Sequence, residues 1–131
     1  MIIDKDNLFS DGQAVTATAV STNAIDLGEA GDAIGQELTI HVVVSGKDDF
    51  ATLTSLTVQV QTSETGVTTP TDSYTDVLLS AAIPVASLKA GKEVFTVRVP
   101  QGLKRYVRLK YTVTGSNATK GKITAFASKD L

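Results

Sequence analysis

The 131-residue sequence predicts an all-β domain, a two-sheet sandwich or barrel of about eight short strands. Three observations predict it. Eighteen Thr and 15 Val make up a quarter of the chain, and both are β-branched residues that suit a pleated, half-buried surface. Apolar and polar residues alternate with period two in segment after segment. The segments are separated by polar, often Gly-containing turns, with no helix-forming block between them. A jelly roll has that strand number.

In chain order, residues 1–13 lack alternation and read as an extended N-terminal arm, which leaves 14–131 as a single sandwich domain. Ala14–Val20 sets Val15, Ala17 and Ala19 against Thr16 and Thr18, and a short strand covers Ala24–Leu27. Leu38, Ile40, Val42 and Val44 share one parity, with Glu37, Thr39 and His41 on the other. Leu56, Val58 and Val60 alternate cleanly with Thr57, Gln59 and Gln61. A less regular strand runs from Val77 to Ile83 and ends at Pro84. Phe95, Val97 and Val99 alternate with Thr96 and Arg98; Val107, Leu109, Tyr111 and Val113 alternate with Tyr106, Arg108, Lys110 and Thr112. The last strand, Lys122–Ser128, has Ile123, Ala125 and Ala127 on one side and Phe126 on the other. Turn chemistry marks the breaks: Gly28–Asp32, Gly46–Asp49, the polar loop Ser63–Ser73, Ala90–Lys92, Pro100–Gly102 and Gly115–Asn117.

Composition then removes function classes. A 13.7 kDa chain can bury roughly two-thirds of its unfolded surface without disulfide or metal. With 12 basic and 14 acidic residues the net charge is −2, so nothing draws the whole chain to nucleic acid or anionic lipid. There is no cysteine and one histidine, which excludes disulfide scaffolds, thiolate sites, a cysteine nucleophile and multi-histidine metal sites. Asp48, Asp49, Glu29 and Asp32 lack the spacing of a calcium loop, and the glycines at 28, 31 and 35 do not form a dinucleotide fingerprint. No cofactor and no metal are expected. No apolar stretch of signal-peptide length follows Met1-Ile2-Ile3, so synthesis in the cytoplasm without an anchor is the expectation.

Two candidate sites emerge from the residues. His41, on the polar parity of its strand, could serve as the base of a nucleophilic triad only if a carboxylate and a hydroxyl come to it from elsewhere. No Gly-x-Ser-x-Gly elbow occurs, and His41 reads as a half-exposed structural residue, so no enzyme is expected. Arg98, Arg108 and Lys110 share outward parity, with Tyr106 among them. If the two strands pair around Pro100 to Lys104, they make a basic, aromatic-bearing stripe suited to an acidic protein surface; a jelly roll would instead split it between sheets.

The two ends of the chain carry a resemblance. Leu8-Phe9-Ser10-Asp11-Gly12-Gln13-Ala14-Val15-Thr16, with Ser21 to Gly28, resembles the opening of the cement (decoration) proteins of tailed phages of the Bordetella-phage type. Arg105 to Gly115, then Gly121-Lys122-Ile123-Thr124-Ala125, is similar to that family's end. The resemblance implies a jelly roll without enzymatic activity, made in the host cytoplasm and placed on the outer surface of a phage head. There it would sit as a homodimer clamping major capsid protein subunits, with no nucleic-acid or membrane partner. On this reading the partner-binding residues are Leu8 and Phe9 of the arm and the Arg98, Tyr106, Arg108 and Lys110 surface. The alternative is a carbohydrate-binding jelly-roll module of a phage fibre or secreted enzyme. That would need exposed aromatics to stack on sugars, and the chain has only four Phe and three Tyr, with no Trp.

Overall fold

Alternation of β-branched and polar residues lets each strand bury one face and wet the other, and the computed structural model shows where those faces meet. It describes residues 8–26, 38–64, 74–99 and 104–129. Among the described residues ten strands form: β1 (Leu8–Ala14), β2 (Ala19–Val20), β3 (Ile25–Asp26), β4 (Leu38–Ser45), β5 (Ala51–Ser63), β6 (Thr75–Leu79), β7 (Ile83–Pro84), β8 (Glu93–Val99), β9 (Tyr106–Lys120) and β10 (Lys122–Lys129). One sheet has the order β1-β10-β4-β8. The other is β2-β9-β5-β6, with β3 also on β9 and β7 also on β5. All pairings are antiparallel. With β2 and β3 taken as one ribbon and β6 and β7 as another, the chain changes sheet at every step except β5 to β6, in the manner of a jelly roll, and β1 lies beside β10.

The core lies between the sheets. Ile40, Val42, Val44, Ile123, Ala125 and Ala127 from the first face Leu56, Val58, Val60, Val107, Leu109 and Tyr111 from the second. Phe50 and Leu88 close the side between them, where the Phe50 N–H donates to the Leu88 carbonyl. Each buried Val, Leu, Ile or Phe among them contributes about 1.5–3 kcal/mol.

Several expectations are corrected. From Leu8 onward the expected arm is strand β1, hydrogen-bonded to β10, and Phe9 is fully buried in the core. Alternation is missing there because two register shifts, between Leu8 and Ser10 and between Ser10 and Gln13, interrupt the pairing, and bulges break period two. The strand expected over Ala14–Val20 is split, because the chain leaves one sheet after Ala14 and enters the other at Ala19. Gly115–Asn117 is no turn; β9 runs through it. Gly115 sits at φ +88, where a Cβ would lie 2.3 Å from Thr54 Oγ1, so the glycine serves a bulge opposite Leu53. Thr52 on the facing strand also has a positive φ, 84°, a conformation that strains a β-branched residue. The Val77–Ile83 pattern becomes β6 and β7 with a gap between them. There Ser80 takes over both ladder roles, its Oγ accepting from the Val58 N–H and its N–H donating to the Val58 carbonyl. Residues 1–7 of the arm, Leu27, the Gly28–Asp32 turn, Gly35, Glu37, the polar loop beyond Glu64 and Pro100–Gly102 lie outside the described residues.

Candidate functional site

The outward residues of β5, β6 and β9 form a hydrogen-bonded polar surface. Register sets them opposite one another: Gln61 faces Arg108 and Gln59 faces Lys110 across β5 and β9, while Asp76 of β6 faces Gln61. Gln59 Nε2 and Gln61 Nε2 donate to the two carboxylate oxygens of Asp76 at 3.1 and 2.8 Å. Their carbonyl oxygens accept in turn, Gln61 Oε1 from Arg108 Nε at 2.9 Å and Gln59 Oε1 from Thr112 Oγ1 at 2.6 Å. Each amide thus uses donor and acceptor ends at once, which fixes both side chains. The Tyr74 ring lies 3.9 Å from the Arg108 guanidinium, a cation–π contact that helps leave Arg108 only 1% exposed. Leu79, 60% exposed at the end of β6, is the one large apolar side chain among the described residues that stands in solvent.

The predicted partner-binding residues do not come together. Arg98 is exposed on β8 in one sheet, whereas Tyr106, Arg108 and Lys110 are on β9 in the other. The chain crosses between sheets from β8 to β9 instead of turning back as a hairpin. Arg108 has the outward parity expected, but it is covered and is not a docking residue; parity fixes direction, not exposure. Tyr106 and Lys110 are half-buried. Phe9 is core and Leu8 is half-buried in β1, so Phe9 cannot anchor a partner without unfolding the sheet. Sequence reasoning missed Gln59, Gln61 and Asp76. The signal for the first two was a pair of amides two residues apart on the polar side of the cleanest strand. It also missed Arg105, whose Nε and Nη2 donate to the two Asp26 oxygens at 2.9 and 3.1 Å while its guanidinium lies 5.1 Å from the Tyr106 ring. The Asp26 carboxylate pushes the Arg105 pKa up.

His41 does receive a carboxylate and a hydroxyl. On the outer face of the β1-β10-β4-β8 sheet its Nδ1 is 2.8 Å from Glu93 Oε1 and its Nε2 is 3.2 Å from Ser128 Oγ, so β8, β4 and β10 are tied in one line. Phe126 stacks on the imidazole with centroids 5.0 Å apart, which explains an aromatic on the outward side of the last strand. The Glu93 carboxyl is held below its ordinary range, first by the Thr96 hydroxyl and then by His41. The three side chains thus brace the sheet across its outer face.

A polar chain also joins the sheets through the core. Ser10 Oγ donates to Gln13 Oε1 at 2.7 Å, so the Tyr111 hydroxyl, 2.7 Å from Ser10 Oγ, is the donor in that contact. Gln13 continues to the Val20 carbonyl. Burial pushes the Tyr111 phenol well above its ordinary pKa. Among the described residues no cluster of three or more His, Asp or Glu side chains could hold a metal, and no helix is long and apolar enough to cross a membrane.

A family model, described as Bbp16, matches residues 9–127. No curated protein matches the chain.

Proposed function

Because the chain belongs to the Bbp16 family, we propose that it is a virion structural protein, a cement protein that binds the outside of a phage head and bridges major capsid subunits. The single observation that carries this reading is the family match. It extends over residues 9–127, and so takes in both sheets. The family's name points to a Bordetella phage protein, in line with the resemblance at the two chain ends. The β5-β6-β9 face supports the reading physically: its side chains are already tied to one another, so docking orders little that is not ordered beforehand. Bridging two subunits makes the second contact intramolecular and multiplies a modest affinity. Binding the assembled shell in preference to free subunits stabilises the shell by linkage. No bond is made or broken, and no cofactor is required.

The carbohydrate-module alternative is weakened by exposure. Phe9, Phe50 and Tyr111 are buried, and Tyr74, Phe95, Tyr106 and Phe126 are half-buried, so no ring offers a fully open face to a sugar.

The test is co-sedimentation of the purified chain with heads assembled without it. Saturable binding that Leu79→Glu weakens is expected. No binding at tens of micromolar would overturn the proposal.

A further inference from the structure

At one end of the sandwich, the β4–β5 turn, the β9–β10 hairpin and the exit from β1 enclose a cavity of about 540 Å³, within the roughly 300–1,000 Å³ of ligand clefts. Its charged lining is Lys47, Lys120 and Lys122 against a single aspartate, Asp48, a local excess of two positive charges on a chain whose net charge is −2. None of the three lysines makes an ion pair among the described residues. The geometry places them together for identifiable reasons. Lys122 stands beside Ser45 of β4 on one side and Ala14 of β1 on the other, and its Cδ would lie 3.5 Å from a Cβ on Gly46. Small residues thus form the floor and lysine stems the walls. Gly121, at φ +133, lets the hairpin close against Phe50, whose ring would be 2.5 Å from any Cβ there, so the lysine-bearing turn is packed down onto the core.

We propose that this cavity is a docking site for carboxylate side chains on an acidic segment of a partner protein. Ammonium groups on flexible stems act as point charges that close around a carboxylate. A protein segment fits better than nucleic acid because the lining has no aromatic on which a base could stack. A long polyanion would also meet the chain's own negative charge. In the capsid reading the segment belongs to a shell subunit, yet the cavity's chemistry is independent of that reading.

The experiment is fluorescence anisotropy of a short, labelled oligoglutamate peptide against the full chain, at low and at physiological salt. Saturable binding that weakens with salt is expected. Lys120→Gln and Lys122→Gln should each cost about fivefold, the order for one solvent-exposed unit-charge contact. Lys92→Gln, the loss of a lysine outside this cavity, should change nothing. Unchanged affinity in the Lys47/Lys120/Lys122→Gln variant, with its melting temperature preserved, would overturn the proposal. So would tighter binding of an oligothymidylate of equal charge, which would make the cavity a nucleic-acid site. Peptide binding by a chain that ignores empty heads would retain the cavity and discard the capsid reading.

Discussion

Glu93 shows how a half-exposed residue can matter to the sheet it sits on. Its carboxylate accepts from the Thr96 hydroxyl and from His41, and both contacts favour the ionised form, so its folded pKa falls below the ordinary 4.5. A depressed carboxyl pKa contributes stability that is present above the unfolded value and is lost as pH falls through the folded one. The affected window therefore opens near 4.5 and extends downward. Because the side chain is 46% exposed, solvent screening keeps the effect small. Melting temperatures of the parent and of Glu93→Gln should differ at pH 7 and converge toward pH 3. A gap that stays constant across that range would remove Glu93 from the acid response and leave the brace to the Ser128 contact and packing with Phe126.

At the scale of elements, the strands legible in the sequence were those with unbroken alternation of apolar and polar residues. Leu56 to Gln61, Ile40 to Val44 and Val107 to Val113 fall inside β5, β4 and β9 with the parity their side chains announced. What was not legible was bulged. Phe9 and Ser10 are neighbours and both fully buried, and two register shifts interrupt the pairing around them, so the first strand looked like an arm. Gly115-Ser116-Asn117 has the composition of a turn, yet a bulge uses the same glycine freedom without reversing the chain. The polar site was half legible: parity pointed Gln59, Gln61 and Arg108 outward, while the Tyr74 cover and the contribution of Asp76 depend on how β6 meets β5, which no local pattern encodes. Gly121 tests the hairpin argument. Gly121→Ala forces a Cβ into the Phe50 ring as well as straining φ, whereas Gly91→Ala at φ +82 meets nothing within 4 Å. The first should cost about 2 kcal/mol or more, at least twice the second, read as melting-temperature losses of about 8 °C or more against about 4 °C. Equal losses would mean that Phe50 yields and the hairpin is not packed as tightly as described.

For the whole molecule, closure of a jelly roll still leaves edges. Among the described residues β8 pairs only with β4, and β6 only with β5, so each sheet ends in a strand able to accept another chain. A two-fold pairing of two copies along such an edge is the expected solution state. Light scattering at tens of micromolar should give twice the 13.7 kDa chain mass; a purely monomeric species would contradict this pairing. Such a pair would carry two docking faces, the arrangement a bridge needs. The most direct measurement is the dissociation temperature of phage heads assembled without this protein, taken before and after saturating them with it. The cement reading predicts a rise that grows with occupancy and follows the concentration dependence of linkage. Full occupancy with no rise would mean a protein that decorates the shell without holding it together, and would contradict the account.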